Sequence, residues 1–433
     1  MFKVIETFSG IGAQAKALER LDFEYEIINT CEWDINAIIA YCNMHKGGID
    51  LSICRKKTDE EIDAYLRGLT LSMDGKIAIT SKAFESLTPS FKRSLYAAIR
   101  QTNNFVSITD VHGHDIDEDI DLLTYSFPCQ DLSLCGCWHG NKSGISRDAH
   151  NRSGMLWEVE RILKEMRYDK RSLPKFLVME NVTNILSETH KKDFDDWKNT
   201  LVELGYINHI YRLNAKNFGV PQKRERAYMI SILCNFKKRK EKLVEKYFIN
   251  NNLEEDLTAR KYRTRKYYLK DVLRLDYRKK CYRNEANINQ PNDTPSRVKI
   301  YNENDMLYDG KKIHEIYVNT ITTKQDRNPN SGLITYNSGI EGKSNWRYLT
   351  PRECFMLMGF DERDFDAVIH NNPEFKKGSK LLTNNKLIKM AGNSICVDVL
   401  EAIFKQIFEL NSLLAFGKKT NSYKSSVYYK VHA

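Results

Sequence analysis

Residues 2–21 read FKVIETFSGIGAQAKALERL. FKVIETF is a short apolar strand, SGIGA a glycine turn and QAKALERL the start of a helix. Directly after it, YEIINTCEW (25–33) is a second strand. DINAIIAYCNMH (34–45) then shows helical apolar spacing, with Asp34 at the N-cap. Strand, helix, strand, helix in that order predicts an α/β fold with a doubly wound parallel sheet. In such a fold Gly10 and Gly12 lie at the carboxyl end of the first strand, where ligands bind and where glycine permits close backbone approach. The turn is neither the six-residue dinucleotide fingerprint nor a Walker sequence. The second strand ends in EWD, with Glu32 about 20 residues beyond the turn, the place from which such folds hydrogen-bond a ribose. Trp33 could stack on a purine. Turn and acid together point to one adenosine site.

The pattern continues outward. Residues 47–104 are polar, mixed in charge and helical in rhythm, and are read as a helical insertion. FVSITDV (105–111) and IDLLTYSF return to strand character, and GMLWEVERILKEM is an amphipathic helix. KFLVMENV is a buried strand; FDDWKNTLVELG is a helix closed by Gly205. INHIYRLNA and RAYMISIL finish the sheet. Residues 1–235 are therefore read as the first domain, which carries the glycine turn. After about residue 235 the chain turns basic, Asn-rich and irregular, and 236–344 is read as a second, smaller domain. Order resumes over 345–415, which returns to the first domain, and 416–433 is a loose tail.

The 433 residues carry a net charge of +10, and Lys237–Arg283 holds 17 Lys and Arg against 7 Asp and Glu, an excess equal to that of the whole chain. Tyrosines interleave with the basic residues there, a composition suited to a phosphate-rich polymer. The alternative is a solvated basic face. No apolar run reaches the roughly 18 residues of a membrane span, and MFKVIETFSG is not a signal peptide. A cytoplasmic protein is expected, with its ten scattered cysteines as free thiols. CGCWHG offers Cys135, Cys137 and His139, but the spacing fits no zinc pattern, so no metal is expected.

Cys129 follows Pro128 at the end of IDLLTYSF. An ordinary thiol, with pKa near 8.5, is only about 3% thiolate at pH 7 and needs help to react. Glu180, at the end of VMENV, is one source of help. Arg224 and Arg226 of QKRER, two residues apart, are another, and alternation puts them on one face beside the acid. A structural ion pair is the competing reading. The polar, glycine-bearing stretch from Cys129 to about Asn151 is read as a lid.

In order along the chain, FSGIGA, PCQDLS, ENV, QKRER, RYLTPRECFMLMGF and GNS resemble the motifs of the DNA cytosine-5 methyltransferase family. TYSFPCQDLS and RSGMLWEVERIL look especially like bacterial CpG methyltransferases, and a CG-containing target follows as the expectation. The resemblance covers roughly residues 1–46, 105–232 and 345–410. It implies an S-adenosylmethionine-dependent, Rossmann-like α/β fold with a doubly wound mixed sheet, in which 1–235 is the catalytic and cofactor-binding domain and 236–344 a smaller, basic target-recognition domain. It implies that Phe8, Gly10, Ile11 and Gly12 line S-adenosylmethionine, with Glu32 on its ribose and Trp33 on its adenine. Asp110 and Val111 of ITDV resemble the third cofactor motif, although HDID is a second candidate. Phe127, Pro128, Leu156, Asn393 and Ser394 would complete the pocket. Cys129 would be the nucleophile and Glu180 the acid, steadied by Arg224, Arg226 and Gln222. Ser133, Cys135 and, from NTITTK, Thr320 would contact DNA. The implied partner is double-stranded DNA, bound by a monomer in a bacterial cytosol or nucleoid, within a restriction-modification or orphan methylation system.

Three other readings stay open on the residues. A tRNA methyltransferase of the same fold usually carries a smaller recognition region. A thiol hydrolase would need a histidine beside Glu180, and none occupies a strand end there. An inactive DNA-binding module would not need Cys129, Glu180 and the arginine pair.

Overall fold

The computed structural model describes residues 1–128, 145, 152–325 and 331–416. Residues 1–235 hold strands β1 (Phe2–Thr7), β2 (Tyr25–Cys31), β3 (Leu122–Tyr125), β4 (Phe176–Asn181), β5 (Tyr206–Asn214), β6 (Gln222–Lys223) and β7 (Glu225–Leu233). Six of them form one sheet in the order β2-β1-β3-β4-β7-β5. The first four are parallel, and β7 runs antiparallel to both its neighbours. The expected doubly wound sheet is present, with mixed strand direction.

FLVM (176–179) is apolar at every position because both faces of β4 are covered. Phe176 and Val178 join one buried cluster, with residues of helices Ala13–Glu19, Ile35–His45, Pro89–Gln101 and Val397–Phe416. Leu177 and Met179 point the other way, into a cluster with helices Leu156–Tyr168 and Lys191–Glu203. Asp34 caps Ile35–His45, accepting from Asn36 N. Gly205, at φ +93°, follows the end of Lys191–Glu203.

Phe105–Val111 is not a strand. The Asn104 side chain takes the place of a strand partner. Its Oδ1 accepts from Glu32 N (3.0 Å) and Val106 N (2.9 Å), and its Nδ2 donates to Glu32 O (3.0 Å). Val106 then adopts φ +69°, and Ile108–Asp110 closes a 3₁₀ turn. The insertion folds as helices Asp59–Arg67, Ser81–Glu85 and Pro89–Gln101.

Beyond residue 235 the structure is more regular than its composition predicts. It contains helices Lys238–Asn250, Asp256–Tyr262, Lys280–Asn289 and Pro295–Glu303. Strands β8 (Met306–Tyr308), β10 (Leu333–Thr335) and β11 (Trp346–Arg347) make a small sheet, whereas β9 (Val318–Asn319) pairs with β6. Several tyrosines of the basic stretch face acids, whereas Tyr268 is exposed and Tyr277 accepts from Arg347. Tyr247 and Tyr262 both donate to Glu409, and Tyr267 donates to Asp398 (2.8 Å). Arg265 pairs with Asp361 (3.1 Å) and Arg274 with Glu362 (2.8 Å). Part of the basic surplus is thus neutralised within the protein. Among the described residues no helix is long and apolar enough to cross a membrane.

One fully buried pair lies in the returning segment, where the basic region reaches it through Arg274. Arg347 grips Glu353 through two 2.8 Å bonds, and both side chains are 0% exposed. Glu353 also accepts from Thr350 N and Arg274 N. Burial alone would raise the Glu353 carboxyl, yet Arg347 holds it below its ordinary range. Breaking such a pair leaves a buried charge uncompensated. Arg347→Met is expected to destabilise the protein by about 3–5 kcal/mol, measured as a fall in the urea midpoint. A midpoint equal to the parent's would count against this role.

Candidate active site

Parallel register brings the carboxyl ends of β1 to β4 to one edge. The antiparallel strand β7 begins at the same edge, since Asn181 pairs with Ala227. That edge surrounds a cavity of about 420 Å³. Its walls include Phe8, Gly10 and Ile11 from the first turn, Glu32 and Trp33 from the second, and Phe127 and Pro128 after β3. Glu180, Arg224 and Arg226 line it too, as do Asn393 and Ser394. Twelve of the sequence-predicted residues therefore share one chamber.

The two turns are stitched together by Glu32. Its Oε2 accepts from Gly10 N (2.9 Å) and its Oε1 from Asp34 N (2.8 Å). Burial, reinforced by the nearby Asp34 charge, pushes the Glu32 carboxyl up to about 7. Phe8 holds φ +54°, a conformation that costs a non-glycine residue roughly 1–3 kcal/mol and persists only where its surroundings enforce it. Gly12 lies outside the cavity wall. At φ +78° it is the N-cap of Ala13–Glu19, and a Cβ there would collide with His45 and Tyr41. Its glycine serves close packing against Ile35–His45.

Glu180 is almost fully buried, and its Oε1 lies 3.4 Å from Arg226 Nε. Burial raises its carboxyl, and Arg226 and Arg224 only partly offset that. A carboxyl so placed retains a proton more readily than an ordinary one. The two arginines divide their work, because β7 begins at Glu225. Arg226 faces Glu180, whereas Arg224 donates to the carbonyls of Ile321 (3.0 Å), Gly392 (3.0 Å) and Ser394 (2.8 Å). Gln222 is buried behind it. Its Nε2 donates to Leu357 O (2.6 Å) and its Oε1 accepts from Ile321 N (2.9 Å). Thr320 is half-buried, its hydroxyl donating to Lys223 O (2.7 Å).

Asp110, Val111 and Leu156 stand apart from the cavity. Asp110 is exposed, and Val111 and Leu156 are buried in the core on the second face of the sheet. Their neighbours Val106 to Thr109 and Met155 line the chamber instead. Cys129, Ser133, Cys135 and the expected lid lie outside the described residues, except that Ile145 is described and buried. Pro128, the residue before Cys129, lines the cavity, and Asn181 Nδ2 pins Phe127 O (3.1 Å). Asn181 was missed as a site residue, although it sits inside the ENV motif. Thr70, Gly75 and Lys389 also line the cavity and carry no motif signal. Among the described residues, no group of three or more His, Cys, Asp and Glu could hold a metal ion.

Residues 58–409 match the C-5 cytosine-specific DNA methylase family. The chain is 35% identical to the orphan methyltransferase M.SssI of Spiroplasma monobiae, over 94% of this chain and 97% of that protein. It is 31% identical to the type II methyltransferase M2.ScrFI of Lactococcus lactis subsp. cremoris, over 94% and 99%. In fold it resembles the Dnmt2 methyltransferase of S. pombe, with a TM-score of 0.54 at 17% identity, over 94% of this chain and 98% of that one. The chain belongs to the C-5 cytosine-specific DNA methylase family and is a DNA cytosine methyltransferase of the S-adenosylmethionine-dependent class.

Proposed function

We propose that the protein binds S-adenosylmethionine in this cavity and methylates C5 of a cytosine rotated out of duplex DNA, at a specific sequence, through a covalent Cys129 adduct. The observation that carries the reading is the shared chamber. Candidate cofactor residues Phe8, Gly10, Ile11, Glu32, Trp33 and Asn393 line the same walls as Glu180 and Arg226, and Pro128 delivers the chain to Cys129. A volume of about 420 Å³ suits a nucleoside-sized ligand. Glu32, fixed by two backbone N–H groups, suits a pair of ribose hydroxyls, and the indole of Trp33 suits an adenine face.

When bound, S-adenosylmethionine supplies an electrophilic methyl group on a sulfonium. The chain's own residues make cytosine a nucleophile for it. The Cys129 thiolate adds to C6, and the ring's electrons move toward C5. Glu180, held toward its protonated form by burial, hydrogen-bonds the ring at N3, so charge is neutralised as it forms. Arg226 orients that carboxyl. After methylation, loss of the C5 proton expels Cys129 and restores the ring. A stacked cytosine cannot reach such a site, and rotating it out costs a few kcal/mol. Region 236–344 is the target-reading part in this proposal, with Thr320 beside the backbone of the flipped nucleotide and Ser133 and Cys135 near the DNA. The names of the relatives support a type II or orphan methylation system.

Three outcomes are expected. Cys129→Ala abolishes methyl transfer while S-adenosylmethionine still binds; measurable turnover in that variant would sink the nucleophile assignment. Target DNA containing 5-fluorocytosine is trapped as a denaturation-resistant adduct, because fluorine cannot leave as a proton does. Bisulfite sequencing of treated DNA finds the site first, and no adduct on that site would overturn the mechanism. Cofactor affinity depends on Glu32 being ionised. With the free carboxyl near 7, binding should weaken about tenfold from pH 8 to pH 6. Titration calorimetry checks this: the slope should be present in the parent and absent in Glu32→Gln.

A further inference from the structure

The insertion meets the cavity at one place. Its loop 70–79 leaves helix Asp59–Arg67 and folds over the EWD corner. Ser72 N donates to Trp33 O (2.8 Å), and Ile35 N donates to Ser72 O (2.9 Å). Asn36 Nδ2 donates to Met73 O (2.8 Å). The loop tip is a built turn. Asp74 Oδ1 accepts from Lys76 N (2.8 Å) and Ile77 N (3.2 Å), and the Ser72 hydroxyl donates to Ile77 O (2.6 Å). Gly75, at φ +64°, closes against Asp34, whose Oδ2 would lie 3.1 Å from a Cβ placed there. Thr70 and Gly75 are both part of the cavity wall.

Lys389 meets the loop from the other side. It stands on helix Asn384–Asn393, four residues before Asn393, and lines the same cavity. Its ammonium donates to Asp74 O and lies 3.7 Å from Asp34 Oδ2. The side chain is 26% exposed, so this cation joins the insertion to the C-terminal wall at a partly solvated point. The loop's other ties run to the EWD corner itself. Lys389 ties it to a segment more than 300 residues away in sequence.

We propose that loop 70–79 and Lys389 form a clasp on the cofactor site. Lys389 is a positioning residue that holds the loop against the chamber, and the link sets how fast S-adenosylmethionine and its demethylated product exchange. The proposal rests on the reading of this cavity as the S-adenosylmethionine site. A link of one cation to a carbonyl and a more distant carboxylate is strong enough to slow exchange and weak enough to open at each turnover.

The test is the dissociation rate of radiolabelled S-adenosylmethionine, chased with unlabelled cofactor. It uses the full chain and variants whose melting matches the parent. Lys389→Met should accelerate dissociation about five- to tenfold, the loss of roughly one charge-assisted hydrogen bond, and Lys389→Arg should restore most of the parental rate. Ser72→Ala loosens the loop from its own side and should act in the same direction. Parental rates in both Lys389→Met and Ser72→Ala, with binding abolished in Glu32→Ala, would overturn the clasp and leave the cavity reading intact. Failure of the parent to bind, or unaltered binding in Glu32→Ala, would overturn the cavity reading itself, and the clasp with it.

Discussion

A single buried guanidinium, Arg224, donates to the carbonyls of Ile321, Gly392 and Ser394. Ile321 follows the strand that pairs with β6, and Gly392 and Ser394 flank Asn393 in the cavity wall. Two distant segments thus converge on one cation. Gln222 does the same two residues earlier, joining Leu357 to Ile321. Carbonyls buried without a donor are costly, so these segments cannot separate without exposing them to water or leaving them unpaired. The chamber's geometry follows from this tie more than from the turns that line it.

The placement of charge elsewhere obeys the same rule. Lys16 meets Asp364 at 3.0 Å, and Arg20 meets Glu401 and Asp361, both at 3.0 Å. Burial lifts the carboxyls of Asp398 and Glu401 above their ordinary range, although Arg20 and Arg265 oppose it. The first helix, the basic region and the C-terminal helix therefore share a network of opposite charges. Such a network fixes which surfaces meet, even where its net contribution to stability is small.

How much was legible follows from how local each signal was. The first strand, the glycine turn and EWD were readable because a covered parallel strand is mostly apolar and its turn needs glycine at positive φ. FVSITDV misled because the feature that ends the strand character, the Asn104 amide, lies just outside it and acts through its side chain. The arginine pair looked like one face because alternation was assumed to begin before Glu225, where the strand starts. The tyrosine-rich basic stretch looked like a polyanion surface because its acid partners, Asp361, Asp398 and Glu409, lie about 100 residues or more downstream. Thr70, Gly75 and Lys389 had no signal, since their proximity exists only in the fold.

The C-terminal helix Val397–Phe416 covers one face of the sheet. Its Phe408 ring stacks on Phe23 at 3.7 Å and meets Phe2 edge-on at 5.1 Å. Strand β1 is therefore sealed by a helix made long after it. On the ribosome, Phe2 and Phe23 wait without this cover until residue 408 has emerged. The chamber has the same order of assembly: the wall made by Phe8, Gly10 and Ile11 is complete only once Asn393 and Ser394 have followed.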